Sequence, residues 1–252
     1  NWSKIMRNKI KKPTGYIIYD GPSLLDNKPI VVIALVGKSS NQKTGAMVQT
    51  YILRSDMDPR LANKTGLDFS ICGLCKHRGT PTNDPTKKLA VDRSCYVVIG
   101  QGPVIVYKGY KKGSYPKTNN IPELGKDRVV RLGTYGDPSA VPSYVWDQLL
   151  VNAKGSTGYS HQEQLKQSSF NPSYMMESAD NLTQAQIAWA NKRRTFRVIK
   201  DISEIDHANE ISCPASREAG QRTTCINCKL CSGSMIKAKS IAIVIHGAGK
   251  NN

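Results

Sequence analysis

Residues 128–153 have the sequence RVVRLGTYGDPSAVPSYVWDQLLVNA, in which a strand, a turn and a helix follow one another. The first five residues predict a strand, with Val129, Val130 and Leu132 as its apolar members, and the Gly-Asp-Pro triplet at 136–138 is typical of a turn. Val145 and Leu149 then recur at helical spacing, which predicts a helix over 141–153. A strand that leads through a loop into a helix is the repeating unit of a parallel α/β sheet.

The same succession recurs along the chain and predicts further strands and helices. Strands are expected at 95–99, 128–132, 157–161, 174–176, 195–199, 211–213 and 241–245. Helices are expected at 101–112, 141–153 and 181–192. Three more strands precede these units, at 16–19, 30–36 and 47–53, and the turn residues between them indicate an antiparallel opening.

These elements predict the α/β class, with a partial or TIM-like parallel β/α barrel, an antiparallel N-terminal extension and a Cys-rich C-terminal metal-binding loop. We expect one domain over 1–252. Its parts are a β extension at 1–70, a cysteine motif at 71–95, and β/α repeats over 95–252 with the Cys-rich loop at 213–233. The chain has no GxGxxG turn, which argues against a doubly wound dinucleotide-binding sheet.

The composition is that of a folded globular protein with a large positive charge. The 252 residues include 36 Lys and Arg against 19 Asp and Glu, a net charge of +17, and 39% are hydrophobic. These fractions exclude a disordered chain, a collagen-like fibre and a coiled coil. The charge favours an anionic partner, most often nucleic acid, although solubility is the simpler explanation. Basic residues cluster at 4–12, 108–117 and 192–197, and tyrosines interleave the second cluster.

The four-cysteine group near the C-terminus consists of Cys213, Cys225, Cys228 and Cys231. Its C-x2-C-x2-C run forms a compact turn in which three sulfur atoms can converge, and Cys213 supplies a fourth. Four thiolates suit tetrahedral zinc or an iron–sulfur cluster. The run resembles iron–sulfur spacing more than a zinc knuckle with two separated pairs, so the sequence leans toward a cluster and leaves zinc open.

The three-cysteine group near the N-terminus consists of Cys72, Cys75 and Cys95. With His77 it can form a zinc site of three sulfur atoms and one nitrogen. Alternatively, the three cysteines hold a cluster and leave one coordination position open for substrate. An odd number of cysteines at C-x2-C spacings argues against a disulfide framework in either group.

Polar residues follow several of the predicted strands, where the working residues of parallel α/β folds lie. We therefore expect a catalytic rim at one edge of the sheet. Its members are Arg131, Asp137, His161, Glu177 and His246, with Cys213 beside them. Each also has a structural interpretation, since Asp137 stands where a helix N-cap is expected and Arg131 suits an ion pair.

Eight segments of the chain resemble uncharacterised cysteine-rich proteins encoded by bacteriophages and plasmids. They are 71–79 (ICGLCKHRG), 94–97 (SCYV), 100–103 (GQGP), 131–138 (RLGTYGDP), 158–162 (GYSHQ), 194–197 (RTFR), 213–216 (CPAS) and 223–233 (TTCINCKLCSG). The resemblance covers about 16–247. A more distant similarity is to the actinophage "gene product" family, which has a C-terminal cysteine cluster. The resemblance implies a mobile-element origin and a metal centre, and it implies no particular substrate.

A partial barrel with cysteines also resembles the radical S-adenosylmethionine enzymes, whose cluster motif is C-x3-C-x2-C. This chain departs from that motif, because Cys72 and Cys75 are separated by two residues and Cys95 is distant. In this less favoured alternative the three-cysteine group would hold the cluster, S-adenosylmethionine would bind there, and the four-cysteine group would be auxiliary.

Two hypotheses about function follow. The first is a metal-dependent phage or plasmid enzyme acting on nucleic acid or nucleotides, in which Asp137, His161 or Glu177 transfers protons. The second is a non-catalytic nucleic-acid-binding protein with structural zinc sites. A host protein partner is a third alternative, for which the sequence contains no indicative motif. No apolar run is long enough for a membrane span and no apolar leader is visible, so we expect the cytoplasm of an infected or plasmid-bearing bacterial cell.

Overall fold

The computed structural model describes residues 12–39, 41–234 and 236–245. The strands of this part of the chain are β1 (Gly15–Pro22), β2 (Pro29–Leu35), β3 (Val48–Arg54), β4 (Val129–Tyr135), β5 (Gly155–Thr157), β6 (Tyr159–Ser160), β7 (Met176–Ala179), β8 (Thr195–Ile199), β9 (Glu210–Ser212) and β10 (Ser240–Val244). The helices are α1 (Pro59–Lys64), α2 (Phe69–Cys72), α3 (Gly102–Lys111), α4 (Ile121–Gly125), α5 (Ser143–Leu150), α6 (Leu182–Ala190) and α7 (Cys225–Cys228). The α/β class is confirmed.

The first sheet is mixed and has the strand order β1-β2-β3-β4-β5. β1, β2 and β3 pair antiparallel, with Ile33 of β2 opposite Ile17 on one side and Tyr51 on the other. β3, β4 and β5 then pair parallel. The expected antiparallel opening is therefore present, and it is continuous with the sheet that contains β4.

The second sheet is parallel throughout and has the order β6-β7-β8-β10-β9. β10 lies between β8 and β9, so the chain passes outward to β9 and then returns to β10. The connection that returns is the segment from residue 213 to 239, which contains the four-cysteine group. The Cys-rich segment is thus the crossover between two parallel neighbours.

The described strands form two open sheets, and their pairing does not close into a TIM-like barrel. A TIM barrel needs eight parallel strands, whereas the first two pairings of this chain are antiparallel. The two sheets meet at Gly158, the one residue between β5 and β6. Its N–H donates to the carbonyl of Cys231 and its carbonyl accepts from Met176, both at 2.9 Å. The junction of the sheets is therefore also an attachment point for the four-cysteine group.

The main hydrophobic core lies against the first sheet, where α5 packs with Trp146 fully buried. The indole N–H of Trp146 donates to the carbonyl of Pro138 at 2.9 Å, which satisfies its only polar group inside the core. This contact fixes the turn after β4 to the core. Asp137 therefore occupies a rigid position at the sheet edge.

Three predicted strands differ from the structure, and the one expected at 157–161 is divided at Gly158 between β5 and β6. Residues 95–99 are a loop, because the Arg93 guanidinium donates to the carbonyls of Cys95 (3.0 Å) and Val97 (2.8 Å) instead of leaving them for a neighbouring strand. β7 begins at Met176, because the N–H groups of Tyr174 and Met175 bond to Asn171 in a turn. In the described part of the chain, no helix is both long and apolar enough to cross a membrane.

Candidate metal centres at the sheet edge

The four-cysteine group is assembled from the end of β9 and from α7. Cys213 follows β9, and its N–H donates to the carbonyl of Ala242 in β10 at 2.8 Å. Cys225 and Cys228 lie on the single turn of α7, which Lys229 ends in the left-handed conformation with φ at 54°. That reversal brings Cys231 back toward the other cysteines.

The thiols of the four-cysteine group lie close enough to influence one another electrostatically. Burial raises the pKa of Cys231, and Cys213, Cys225 and Cys228 raise it further. Burial likewise raises the pKa of Cys213, with smaller contributions from Cys225 and Cys228. Such thiols stay protonated unless a metal replaces the proton, because a ligating sulfur must be a thiolate.

Arg194 ties the segment around the four-cysteine group to the second sheet. The side chain is 7% exposed and donates to the carbonyls of Leu230 (2.8 Å), Gly233 (2.7 Å), Ala238 (2.9 Å) and Lys239 (2.7 Å). Burial lowers the pKa of Arg194, while the thiols of the four-cysteine group oppose that change. This guanidinium therefore shapes the loop and places positive charge beside the sulfur atoms.

Arg131 brings a second guanidinium to the same group from β4. It donates to the hydroxyls of Tyr96 and Tyr159, each at 2.7 Å, and lies 5.6 Å from the Tyr159 ring centroid. Burial lowers the pKa of Arg131, but Tyr159, Tyr96 and Cys225 raise it well above its ordinary value. The predicted rim residue Arg131 thus belongs with the four-cysteine group.

Within the described residues, no carboxylate forms an ion pair with Arg131 or Arg194. Arg194 is buried, and a guanidinium removed from water without an anionic partner is costly, so a compensating charge is expected near it. The thiols of Cys225, Cys228 and Cys231 are the neighbours that can supply that charge.

The three-cysteine group lies near Asp68 and His161. Burial raises the pKa of Cys72 well above its ordinary value, and Asp68, Cys75 and Cys95 add to the shift. The turn after Cys72 needs Gly73, whose φ is 51°, because a Cβ there would lie 2.1 Å from the Gln162 side chain. This turn therefore holds Cys72 and Cys75 near each other, and Cys95 joins them because its N–H donates to the carbonyl of His77 at 3.0 Å.

Gln162 connects this turn to Asp137. Its amide accepts from the N–H of Leu74 at 3.1 Å and donates to the carbonyl of Cys72 at 2.9 Å and to Asp137 Oδ2 at 3.0 Å. Gln162 is fully buried, and it was not among the residues predicted for the site. The sequence feature that could have indicated Gln162 is its position two residues after β6, among other polar residues.

Asp137 has a positioning role in the described structure. Its Oδ1 accepts from the N–H of Ser139, and its Oδ2 accepts from the N–H of His161, both at 2.9 Å. With Gln162 as a third donor, both carboxylate oxygens are engaged in fixed hydrogen bonds. The N-cap interpretation fits this geometry better than proton transfer by Asp137.

His161 meets Asp180 and His77 beside the three-cysteine group. His161 Nε2 lies 3.2 Å from Asp180 Oδ1, and the His77 and His161 ring centroids are 5.9 Å apart. Burial alone would lower the pKa of His161, but Cys75 and Asp180 outweigh it and raise the pKa well above its ordinary value. Burial and the charge of His161 lower the pKa of His77 to about 4.

Asp180 was missed as a site residue because β7 begins later than predicted. It follows the last residue of β7, the place that the sequence analysis gave to Glu177. Glu177 instead lies inside the strand, where it is 5% exposed and pairs with Arg193. His246 lies outside the described residues. The expected rim therefore divides, with Asp137 and His161 near the three-cysteine group, Arg131 and Cys213 in the four-cysteine group, and Glu177 in a separate ion pair.

Ligand-atom distances differ between the groups. Among the described residues, one set of three or more His, Cys, Asp or Glu side chains has all its ligand atoms within 4.8 Å of one another, and it is His77, His161 and Asp180. In neither cysteine group do three sulfur atoms lie within 4.8 Å of one another. The expected zinc site of Cys72, Cys75, Cys95 and His77 is therefore not preformed.

Comparison of the chain with protein-family models, with curated proteins and with solved structures finds no match in any of the three.

Proposed function

We propose that the chain is an iron–sulfur protein whose cluster is bound by Cys213, Cys225, Cys228 and Cys231. The observation that carries this proposal is the pair of guanidinium groups, Arg131 and Arg194, placed beside the four thiols without a carboxylate partner among the described residues. Four thiolates with a divalent metal core have a net charge of about −2, which two arginines balance.

The sulfur atoms of the four-cysteine group are not preformed around a single zinc ion, and the C-x2-C-x2-C run in the sequence is what favours a cluster. Zinc–sulfur bonds of about 2.3 Å in a tetrahedron place the sulfur atoms ~3.8 Å apart. No three sulfur atoms of the four-cysteine group are within 4.8 Å of one another. In a four-iron cluster each thiolate binds a different iron, so the sulfur atoms lie farther apart than they do around one ion.

The wider role that we propose is an enzyme of a phage or plasmid that acts on nucleic acid or nucleotides in the cytoplasm of the bacterial host. The net charge of +17 supports a polyanionic substrate. We include a partial barrel in this proposal, with the two sheets that meet at Gly158 as its parts. A second cluster on the three-cysteine group, with S-adenosylmethionine as its ligand, stays the less favoured version of this proposal.

Anaerobic purification followed by an absorption spectrum and analysis of iron, sulfide and zinc tests the proposal. We expect a broad band near ~400 nm and about four irons and four sulfides from the four-cysteine group. Cys231→Ser should remove this iron. Cys95→Ser is the matched control, because it alters the other group and should leave the four-cysteine iron in place.

A colourless protein with one or two zinc ions and no sulfide would refute the cluster. That outcome would support the alternative function, a nucleic-acid-binding protein with structural zinc sites. A shallow basic depression favours this alternative, and it is lined by Lys192, Arg193, Arg194, Lys237 and Lys239. The tyrosines of the 108–117 cluster support it less, because Tyr107, Tyr110 and Tyr115 pack against the core.

The alternative predicts binding to DNA that weakens steeply with salt. The logarithm of the binding constant should fall with the logarithm of salt concentration, with a slope of about −0.9 for each phosphate contacted. Lys237→Gln and Lys192→Gln should each reduce that slope by about one contact. Binding that is independent of salt, or absent at low salt, would eliminate it.

A further inference from the structure

Three side chains from separate parts of the chain meet in front of the polar sheet edge. His77 lies in a short 3₁₀ helix (Lys76–Arg78), His161 follows β6, and Asp180 follows β7. Their nitrogen and oxygen ligand atoms all lie within 4.8 Å of one another. All three residues are partly exposed, so an ion and a small ligand can reach them from solvent.

The closest of these distances matches two ligands that share one metal ion. His161 Nε2 and Asp180 Oδ1 are 3.2 Å apart. Bonds of about 2.1 Å to nitrogen and oxygen place two ligand atoms ~3.0 Å apart at a right angle and ~3.4 Å apart at the tetrahedral angle. The observed distance falls between these two values, so little movement is needed for both atoms to bind one ion.

A further hydrogen bond orients the His77 ring, and backbone hydrogen bonds fix the positions of His161 and Asp180. His77 Nδ1 lies 2.8 Å from Ser94 Oγ, which leaves Nε2 for a metal. The N–H of His161 is held by Asp137, and the N–H of Asp180 donates to Gln184 Oε1 at 2.7 Å. Metal-binding histidines commonly have such a partner on the second ring nitrogen, because it fixes the ring orientation.

We propose that His77, His161 and Asp180 form a second metal site, which binds one divalent transition-metal ion of the Fe²⁺, Co²⁺ or Zn²⁺ kind. Two histidines and one carboxylate occupy one side of such an ion and leave coordination positions open on the other. Those positions suit water or a small oxygen or nitrogen ligand. The site shares no residue with the four-cysteine group, so each can be tested without the other.

Lys76 competes with the ion for Asp180. Its ammonium donates to the Asp180 carbonyl at 3.0 Å and lies 3.6 Å from Asp180 Oδ1. The Lys76 side chain is 52% exposed, so it can move into solvent when an ion binds. Lys76→Met should therefore strengthen metal binding several-fold.

Titration of the anaerobically purified protein, with its cysteine-bound metal in place, with Co²⁺ tests the site. The wild type should bind one Co²⁺ with the weak visible bands of nitrogen and oxygen ligands and without intense sulfur-to-cobalt charge transfer. His77→Gln and Asp180→Asn should each lose this equivalent. Ser94→Ala should weaken it on the order of 10–100-fold. Unchanged iron content and circular dichroism in each variant confirm folding.

The same contacts have another interpretation, in which His161 and Asp180 activate the thiol of Cys75 as a nucleophile. That arrangement needs no His77. Co²⁺ binding that is the same in His77→Gln as in the wild type would overturn the metal site. Co²⁺ binding by Asp180→Asn with the wild-type stoichiometry would also overturn the metal site. In that case, slower alkylation of Cys75 by iodoacetamide in Asp180→Asn would identify the nucleophile arrangement.

Discussion

Replacement of Arg194 by Met tests the idea that this guanidinium both shapes and neutralises the four-cysteine group. Met has a similar length and fills most of the same volume, but it has no donor and no charge. The variant leaves four carbonyl groups without their donor, those of Leu230, Gly233, Ala238 and Lys239. It also removes one of the two positive charges beside the thiols.

The expected magnitude follows from the exposure of those four carbonyl-bearing residues. Gly233 is buried, whereas the other three are partly or fully exposed and can recover bonds to water. A lost hydrogen bond to a charged donor costs about 1.5–3 kcal/mol where the partner stays dry and less where water replaces it. We therefore expect the free energy of unfolding to fall by about 4 kcal/mol, a large share of the ~5–15 kcal/mol of an ordinary domain.

Urea denaturation of metal-loaded and metal-free protein measures this loss. Lys192→Met is the matched control, because Lys192 lies two residues before Arg194 and its side chain is exposed. The control removes one positive charge without removing buried hydrogen bonds. The loss for Arg194→Met should be larger in the loaded protein, where the guanidinium also faces thiolates. A loss below about 1 kcal/mol, or one equal to that of Lys192→Met, would refute the assignment of these bonds as stabilising.

Three other substitutions probe the sheets and their edge. Glu163 has one buried carboxylate oxygen without a hydrogen-bond partner, and burial raises its pKa above 4.5, so Glu163→Gln should stabilise the fold. The gain in stability should be absent below pH 4.5, where the Glu163 carboxyl is protonated in both the folded and the unfolded chain, and it should grow as pH rises through the folded-state pKa. A pH series of thermal melts that shows no such trend would contradict this prediction. Arg197→Met leaves Glu210, which is 0% exposed, without its ion-pair partner and should cost about 3–5 kcal/mol in urea unfolding, whereas a neutral result would mean that Glu210 is solvated. Gly136→Ala places a Cβ 2.7 Å from the Ile52 Cβ at φ of 83°, and it should cost ~1–3 kcal/mol by the same assay unless the turn after β4 rearranges.

Much of the fold follows from local sequence patterns. The strand at 195–199 coincides with β8, and the helices expected at 101–112, 141–153 and 181–192 contain α3, α5 and α6. These elements have strong periodicity and clear turn residues at their ends, so short-range chemistry is enough to define them. The closure of the sheets is a long-range property, and the alternation of strands and helices does not determine whether a sheet closes into a barrel.

The candidate site was less predictable because its partners are distant in sequence. The grouping of Cys225, Cys228 and Cys231 in one short segment is visible in the sequence, and the strand-end rule indicated His161. The placement of Asp180 depends on where β7 begins, which a turn bonded to Asn171 decides. No pattern in a single sequence reveals that the backbone carbonyl of Asn171 closes such a turn. The strand therefore ends at Ala179, three residues later than predicted, and the prediction fell on Glu177 instead of Asp180.

Compensation at the metal centre does not account for the overall charge of the chain. A four-thiolate centre with a net charge of about −2 would reduce the formal charge from +17 to only about +15. Arg131 and Arg194 would be balanced by the proposed centre, whereas other basic residues of the described chain lie at the surface. Lys192 and Lys237 line an open depression at the surface, where counter-ions or phosphates have access. The positive charge therefore remains an independent argument for a polyanionic partner, and it would survive even if the four-cysteine group proved to bind zinc.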